Sequence, residues 1–109
     1  MNAKFAFTTR NLIEGYNMYY ILFYKTADNY IEKRVSFREI HLAYANESHK
    51  RGELMIAGAL DNPPDKAVLI FKGDSPAVAE EFAKNDPYVK NGVVVEWEVR
   101  PWTVVIGEL

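Results

Sequence analysis

The chain has 109 residues, of which 49% are hydrophobic, a length and composition that are typical of one folded domain. Its formal net charge of −2 argues against the basic surface that nucleic-acid-binding proteins use. Because Cys is absent, disulfides, thiolate metal sites and a cysteine nucleophile are excluded. No apolar run approaches the roughly 20 residues that a membrane span needs, so we expect a cytoplasmic protein with neither a membrane nor a nucleic-acid partner.

Residues 1–17 have no clear periodicity, and we interpret them as an N-terminal extension before a domain at residues 18–109. Apolar and β-branched runs predict four strands. The first and third runs are apolar on both alternating faces, which is typical of strands that are covered on both sides. The predicted strands lie at 18–25, 53–60, 66–71 and 93–99, with one more short extended segment at 102–106.

Two helices are expected between these strands. The first runs from about residue 30 to residue 51, with Asp28 or Asn29 as its N-cap and Gly52 as its stop. The second begins with Ser75 as N-cap and Pro76 at its first position, and it ends near residue 85. In the last strand, strict alternation places four apolar residues on one face: Val93, Val95, Trp97 and Val99.

The order of these elements is β-α-β-β-α-β, the ferredoxin-like arrangement, in which the first and third strands are central. Two helices can cover only one face of a four-stranded sheet, so the apolar residues of the other face need a second layer. The simplest second layer is the same sheet of another subunit. We therefore predict an α+β, ferredoxin-like protomer that forms a dimeric α+β barrel, as a homodimer or a higher homo-oligomer.

A polar stripe interrupts the apolar side of the first predicted helix. Arg34, Arg38 and His41 follow one another at i, i+4 and i+7. A cation directed towards a core is costly unless it is paired or opens onto a cleft. The stripe therefore predicts a partner carboxylate or a solvent-filled pocket under this helix. A lone helical histidine is often structural, so both roles stay open for His41 at this point, whereas His49 fits a helix-terminal cation.

The segment NDPY at residues 85–88 is a candidate partner for the stripe. Asp86 precedes Pro87, and an Asp-Pro pair commonly opens a turn in which the carboxylate caps backbone N–H groups. On these residues alone the capping role is favoured for Asp86.

Other reaction chemistries have little support in the sequence. It contains no glycine-rich phosphate loop, no H-E-x-x-H motif and no G-x-S-x-G motif. Two histidines at i and i+8 with scattered carboxylates are weak evidence for a metal site, so we expect no metal. Trp97 and Trp102 are interpreted as core or interface anchors.

Four segments, in this order and spacing, resemble the YciI-like, or YCII-related, family. They are EKRVSFREIHLAYA at 32–45, which contains an R-x-x-H-L core, GELMIAGAL at 52–60, NDPYVKNGV at 85–93 and VRPW at 99–102. The resemblance extends from Met18 to the C-terminus and implies a small dimeric α+β-barrel protein, related to muconolactone-isomerase-type dimers, with a cleft beside the dimer interface. The chain departs from the family in its N-terminal extension and in Ala59, where many relatives have a proline.

The resemblance also implies the site. The family's catalytic histidine corresponds to His41 of the R-x-x-H-L motif, and its aspartate corresponds to Asp86 of the DPY motif. In such a pair the carboxylate fixes the histidine tautomer and raises the basicity of the second ring nitrogen. Beside the pair, two arginines would stabilise developing negative charge and two tyrosines would form pocket walls. These substrate-binding candidates are Arg34, Arg38, Tyr88 and Tyr20.

The expected function is proton abstraction of a lyase or isomerase type, without a cofactor, on a small anionic or phenolic substrate. One family member is similar to a dehydrochlorinase that acts on a chlorinated hydroxyquinol, which implies that the site supports elimination. Two alternatives stay open: a non-catalytic or regulatory dimer that binds a small anion, and cofactor-free oxygenation of an electron-rich phenol.

Overall fold

The computed structural model describes residues 18–109 of the chain. The N-terminal extension expected at residues 1–17 lies outside the described residues. Within the described part, no helix is long and apolar enough to cross a membrane. In chain order the elements are β1 (Met18–Thr26), α1 (Tyr30–Lys33), a 3₁₀ turn (Arg34–Ser36), α2 (Arg38–Lys50), β2 (Leu54–Ala59), β3 (Lys66–Gly73), α3 (Ala77–Asn85), α4 (Pro87–Lys90) and β4 (Val94–Trp102).

The strands form one four-stranded sheet in the order β2-β3-β1-β4. All three strand pairs are antiparallel. The predicted ferredoxin-like βαββαβ protomer is therefore confirmed, and β1 and β3 are its central strands as expected.

The hydrophobic core lies between one face of this sheet and the two longer helices, α2 and α3. Alternate residues of β1 point into it, and Leu22 and Tyr24 are 0% and 2% exposed. Their neighbours on β3 and β2 are Leu69, Phe71 and Leu54, which are also buried. The site described below lies on this side of the sheet.

The first helix is not continuous, and the prediction of one helix over about 30–51 was wrong in this respect. It is divided into α1, the 3₁₀ turn and α2. The 3₁₀ turn follows α1 directly, and it meets α2 at Phe37, which has φ −119° and ψ −2°. Val35, Ser36 and Phe37 are weaker helix formers than the residues around them, and the Phe37 ring packs against the core. Asn29 occupies the N-cap position of α1, but its side chain makes no capping hydrogen bond.

The ends of the two longer helices follow the sequence signals closely. Gly52 has φ +80°, and its N–H donates to the His49 carbonyl while the Glu53 N–H donates to the Ser48 carbonyl. These are the two hydrogen bonds of a Schellman C-cap, so Gly52 stops α2 as predicted. At the start of α3 the Ser75 hydroxyl accepts a hydrogen bond from the Ala77 N–H at 3.2 Å, the contact expected of an N-cap.

The last strand departs from its predicted alternation. Lys25 pairs with Glu96 and Thr26 pairs with Val94, so Val95 is an extra residue in a β-bulge. The bulge turns Val94 into the core and leaves Val95 52% exposed. The same strand continues to Trp102, and residues 103–109 contain no strand, so the separate extended segment predicted at 102–106 was also wrong.

The second face of the sheet, here called the open face, is apolar at its centre. Its residues lie between the core-facing positions of each strand, and the two longer helices pack on the other side. Phe23 and Ile56 on this face are 39% and 56% exposed. The apolar residues of the open face are Tyr19, Ile21, Phe23, Ile56, Val68, Ile70 and Trp102.

Candidate active site

Asp86 lies at the junction between α3 and α4, where the chain leaves one helix and starts the next. Its backbone is extended, with φ −68° and ψ 126°, because a residue before proline is disfavoured in the helical region. Pro87 then occupies the first turn of α4, where its missing N–H costs nothing. This turn directs the Asp86 side chain into the protein, where it is 0% exposed.

Three donors converge on the buried Asp86 carboxylate. Oδ1 lies 2.7 Å from His41 Nδ1 and accepts the Tyr88 backbone N–H at 2.9 Å. Oδ2 accepts the Tyr24 hydroxyl at 2.7 Å. Since a carboxylate is an acceptor only, the proton of the His41 contact belongs to Nδ1. Asp86 therefore caps α4 and binds His41 at the same time.

The His41 ring is held on two sides. Besides its hydrogen bond to Asp86, it stacks on the Tyr88 ring with centroids 3.7 Å apart and planes 5° apart. Its side chain keeps 14% of its surface exposed. With Nδ1 used by Asp86, the nitrogen left for a ligand is Nε2.

A cavity of about 300 Å³ opens beside this pair. One side of it is polar, with tyrosine hydroxyls, two guanidinium groups and the imidazole. The other side is built from small and aliphatic residues of β2 and β3, among them Ala57, Gly58 and Ala59. Every titratable residue that lines the cavity is on the polar side: Tyr24, Tyr30, Arg34, Arg38, His41 and Tyr88.

The two arginines reach the cavity from different parts of the broken helix. Arg34 lies in the 3₁₀ turn and Arg38 begins α2. Arg34 Nη1 donates to the Tyr30 hydroxyl at 3.2 Å, and its guanidinium carbon lies 5.0 Å from the centroid of the Tyr30 ring. This contact orients Arg34 while leaving its other donors available to an anion.

The Tyr88 hydroxyl is buried at the cavity wall, and among the described residues it has no hydrogen-bond partner of good geometry. Burial raises the pKa of Tyr88 and Tyr30 adds to the rise, whereas the positive charges of Arg38 and Arg34 act in the opposite direction. A hydrogen bond with the Arg38 side chain also acts to lower this pKa, so Arg38 is the polar neighbour of the buried Tyr88 hydroxyl.

Tyr20 was expected at the pocket, but it does not line the cavity. It lies on the correct face of β1, in the core, and its hydroxyl lies 3.9 Å from Met18 Sδ. Tyr24, four residues further along the same face, lies at the site instead. Tyr20 and Tyr24 share a face because alternate residues of a strand point the same way, but a periodic pattern contains no signal for which of them lies opposite Asp86.

Within residues 18–109, no group of three or more His, Asp or Glu side chains is arranged to hold a metal ion. His49, the second histidine, lies at the end of α2, and its Nδ1 contacts the Leu54 carbonyl at 2.7 Å. It therefore joins α2 to the start of β2.

The fold agrees with the family comparison. The YCII-related domain matches residues 18–103, and the chain belongs to this family. An uncharacterised protein of Haemophilus influenzae is 33% identical over 97 residues, which cover 81% of this chain and 99% of the relative. Protein YciI of Escherichia coli is 32% identical over the same shares of the two chains.

Solved structures with a similar fold include two proteins described as enzymes. The 5-chloro-2-hydroxyhydroquinone dehydrochlorinase TftG of Burkholderia phenoliruptrix, in complex with 2,5-dihydroxybenzoquinone, has a TM-score of 0.66 at 21% identity, covering 79% of this chain and 94% of that chain. A proposed antibiotic biosynthesis monooxygenase of Bacteroides thetaiotaomicron has a TM-score of 0.55 at 16% identity, covering 86% of this chain and 94% of that chain. At these identities the similarity shows the fold.

Proposed function

We propose that the cavity binds a small anionic or phenolic molecule and that His41 and Asp86 remove a proton from it in a lyase- or isomerase-like reaction. The observation that carries this proposal is the 2.7 Å contact between His41 Nδ1 and Asp86 Oδ1 beside an open cavity. A histidine oriented by a carboxylate at one nitrogen is a general base at the other.

In the proposed reaction Nε2 of His41 takes the proton, and the electron pair of the broken bond moves into the conjugated system of the substrate. The imidazolium that forms is stabilised by the Asp86 carboxylate at Nδ1. Arg34 and Arg38 stabilise the enolate or phenolate that develops in the cavity. The reaction uses no cofactor.

The size and walls of the cavity support a single-ring ligand. A volume of about 300 Å³ is at the lower end of the range for small-molecule sites. The small residues of β2 leave room for a flat molecule. TftG, which shares the fold, binds 2,5-dihydroxybenzoquinone, a molecule of this class.

The same observations support a second candidate, a dimer that binds a small anion without converting it. The cationic side of the cavity would serve this function equally well. Cofactor-free oxygenation of an electron-rich phenol is a third candidate, and the structural similarity to a proposed monooxygenase favours it.

The assembly we propose is a homodimer in which two open faces pack together. An apolar sheet face of this kind is typical of an interface, and packing by a two-fold axis would bury the same residues on both subunits.

The binding part of the proposal is tested with 2,5-dihydroxybenzoquinone by calorimetry and thermal stabilisation. We expect binding to weaken by about ten- to a hundredfold in Arg38→Gln, since a charge-assisted hydrogen bond contributes roughly 1.5–3 kcal/mol. Arg51→Gln is the matched control because Arg51 is exposed at the end of α2, away from the cavity. Equal binding by both variants would contradict a role for Arg38.

The catalytic part is tested by chloride release from 5-chloro-2-hydroxyhydroquinone and by ring-proton exchange with D₂O in a panel of hydroxyphenols. His41→Ala should lower the rate by about 10²–10⁴, whereas His49→Ala should retain it. Binding without exchange or release in the wild type would support the non-catalytic dimer. Oxygen uptake with an electron-rich phenol would support the oxygenase.

A further inference from the structure

Tyr24 is the part of the site that has no role in the reaction described above. It lies on the central strand β1, 2% exposed, and its hydroxyl donates to Asp86 Oδ2 at 2.7 Å across a separation of 62 residues. Such a hydrogen bond between a neutral donor and a buried carboxylate is short and strong.

The two carboxylate oxygens of Asp86 have separate partners. Oδ1 receives His41 and the Tyr88 N–H, whereas within residues 18–109 the hydrogen bond to Oδ2 comes from Tyr24. A carboxylate can rotate about its Cβ–Cγ bond, and a donor on each oxygen fixes the plane of the group. The orientation of Oδ1, which binds His41, therefore depends on the Tyr24 hydroxyl, which binds Oδ2.

We propose that Tyr24 is a positioning residue that fixes the Asp86 carboxylate for His41 and disperses its negative charge. The inference deepens the proposed function, because it concerns the group that orients the general base. Tyr24 itself transfers no proton: burial raises its pKa, and the Asp86 charge raises it further, so that the hydroxyl stays a donor.

Loss of this donor has a definite electrostatic consequence. In Tyr24→Phe, Oδ2 has no donor from β1 and more of the negative charge resides on Oδ1. The hydrogen bond from His41 Nδ1 becomes stronger, and the protonated imidazole is stabilised relative to the neutral ring. We expect the proton affinity of His41 to rise by about three- to tenfold, a displacement of its titration midpoint by about half to one pH unit.

Within residues 18–109, six other titratable groups surround His41. Arg34 and Arg38 face it from its own helical segment, Tyr30 from α1, Tyr88 and Asp86 from the α3–α4 junction, and Tyr24 from β1. The cavity-lining side chains from β2, β3 and β4 are uncharged. A displaced midpoint in Tyr24→Phe can therefore be assigned to the Asp86 contact.

Tyr44→Phe is a matched control. Its hydroxyl is also partly buried and donates to the Phe82 carbonyl at 2.9 Å, without a hydrogen bond to Asp86. The experiment follows the His41 Nδ1 proton and the His41 ring-carbon proton by NMR over a pH titration of each full-length variant. We expect the Nδ1 proton to move downfield and the midpoint to move to higher pH in Tyr24→Phe, with neither change in Tyr44→Phe.

No change in Tyr24→Phe, or equal changes in both variants, would overturn the proposal and leave Tyr24 as a packing residue. If Tyr24→Phe does not fold, replacement of Tyr24 alone by 3-fluorotyrosine in the otherwise wild-type chain tests the same contact, because the more acidic phenol is a stronger donor. The Nδ1 proton should then move upfield, and an unchanged or downfield signal would overturn the proposal.

These results separate the inference from the proposed function. A response of His41 to Tyr24→Phe, combined with no turnover by the wild type, would support the positioning role and contradict catalysis. If turnover depends on His41 but the His41 NMR signals do not change in Tyr24→Phe, the results would support catalysis and contradict the positioning role.

Discussion

Each of the three donors that converge on the Asp86 carboxylate comes from a different part of the fold. Tyr24 belongs to β1, His41 to α2 and Tyr88 to α4. A buried carboxylate is stable only when its oxygens are satisfied. This carboxylate therefore joins three elements as well as orienting a histidine, and the stability of the fold is coupled to the geometry of the site.

The Tyr24 hydroxyl makes this coupling measurable at alkaline pH. Burial raises the pKa of Tyr24 above its ordinary value of 10.0, and the charge of Asp86 adds to the rise. Since the raised pKa belongs to the folded state, the stabilising contribution is complete below about pH 10 and is lost as the pH rises above that value.

Between about pH 10 and 11 this residue should lower the free energy of unfolding by roughly 1 kcal/mol, and at higher pH the slope approaches about 1.4 kcal/mol per pH unit. Urea unfolding of Tyr24→Phe should show a pH slope that is smaller by about this amount than the slope of the wild type. Equal slopes in the two proteins would mean that Tyr24 ionises as readily in the folded chain as in the unfolded one.

At the scale of elements, the segment from α1 to α2 decides which side chains face the cavity. A 3₁₀ turn has three residues per turn instead of 3.6, so it changes the rotational phase of the helix that follows. Arg34, Arg38 and His41 nevertheless line the same cavity. Their shared direction was predictable from the apolar arc around them, whereas the break at Phe37 was not, because it depends on the packing of that ring against the core.

The same division applies to the strands. The central positions of β1 and β3 followed from the chain order, whereas β1 is apolar on both faces and alternation alone did not identify its core face. The bulge at Val95 reverses the alternation near the start of β4, and a local pattern contains no signal for an extra residue that is set by pairing with β1. The partnership of Asp86 with His41 was available from motifs of the family, but the part played by Tyr24 required the register of β1.

The small residues of β2 form one wall of the cavity, and they predict its selectivity. Ala57→Leu should fill part of the space and weaken binding of 2,5-dihydroxybenzoquinone at least tenfold, with little change in the thermal midpoint of the free protein. Ala43→Leu makes the same substitution on an exposed position of α2 outside the cavity lining. If both variants bind 2,5-dihydroxybenzoquinone with the affinity of the wild type, the ligand does not occupy the cavity beside β2.

At the scale of the whole molecule, the open face is the apolar surface that residues 18–109 leave partly exposed. Its central strands carry Ile21, Phe23 and Ile70 on the side away from the two longer helices. An exposed apolar surface on a sheet invites association. A two-fold dimer accounts for this surface because a second copy of the same chain is enough to cover it.

We predict that light scattering during size-exclusion chromatography will give twice the chain mass of 12.5 kDa for the wild type. Phe23→Glu should shift the protein to monomers, because two copies of the new charge would be buried at the interface. Val35→Glu is the control, since Val35 is 73% exposed and lies in the 3₁₀ turn, away from the open face. A monomeric wild type at micromolar concentration would contradict the dimer.

The central claim is that His41 presents an unprotonated Nε2 to the cavity because Asp86 holds the proton at Nδ1. The direct measurement is the ¹⁵N NMR spectrum of the two histidines, assigned with a His41→Gln variant. His49 is an internal reference because its Nδ1 contacts the Leu54 carbonyl. We predict that the neutral His41 ring carries its proton on Nδ1, with Nε2 in its pyridine-like form. A neutral ring protonated at Nε2 would contradict the account.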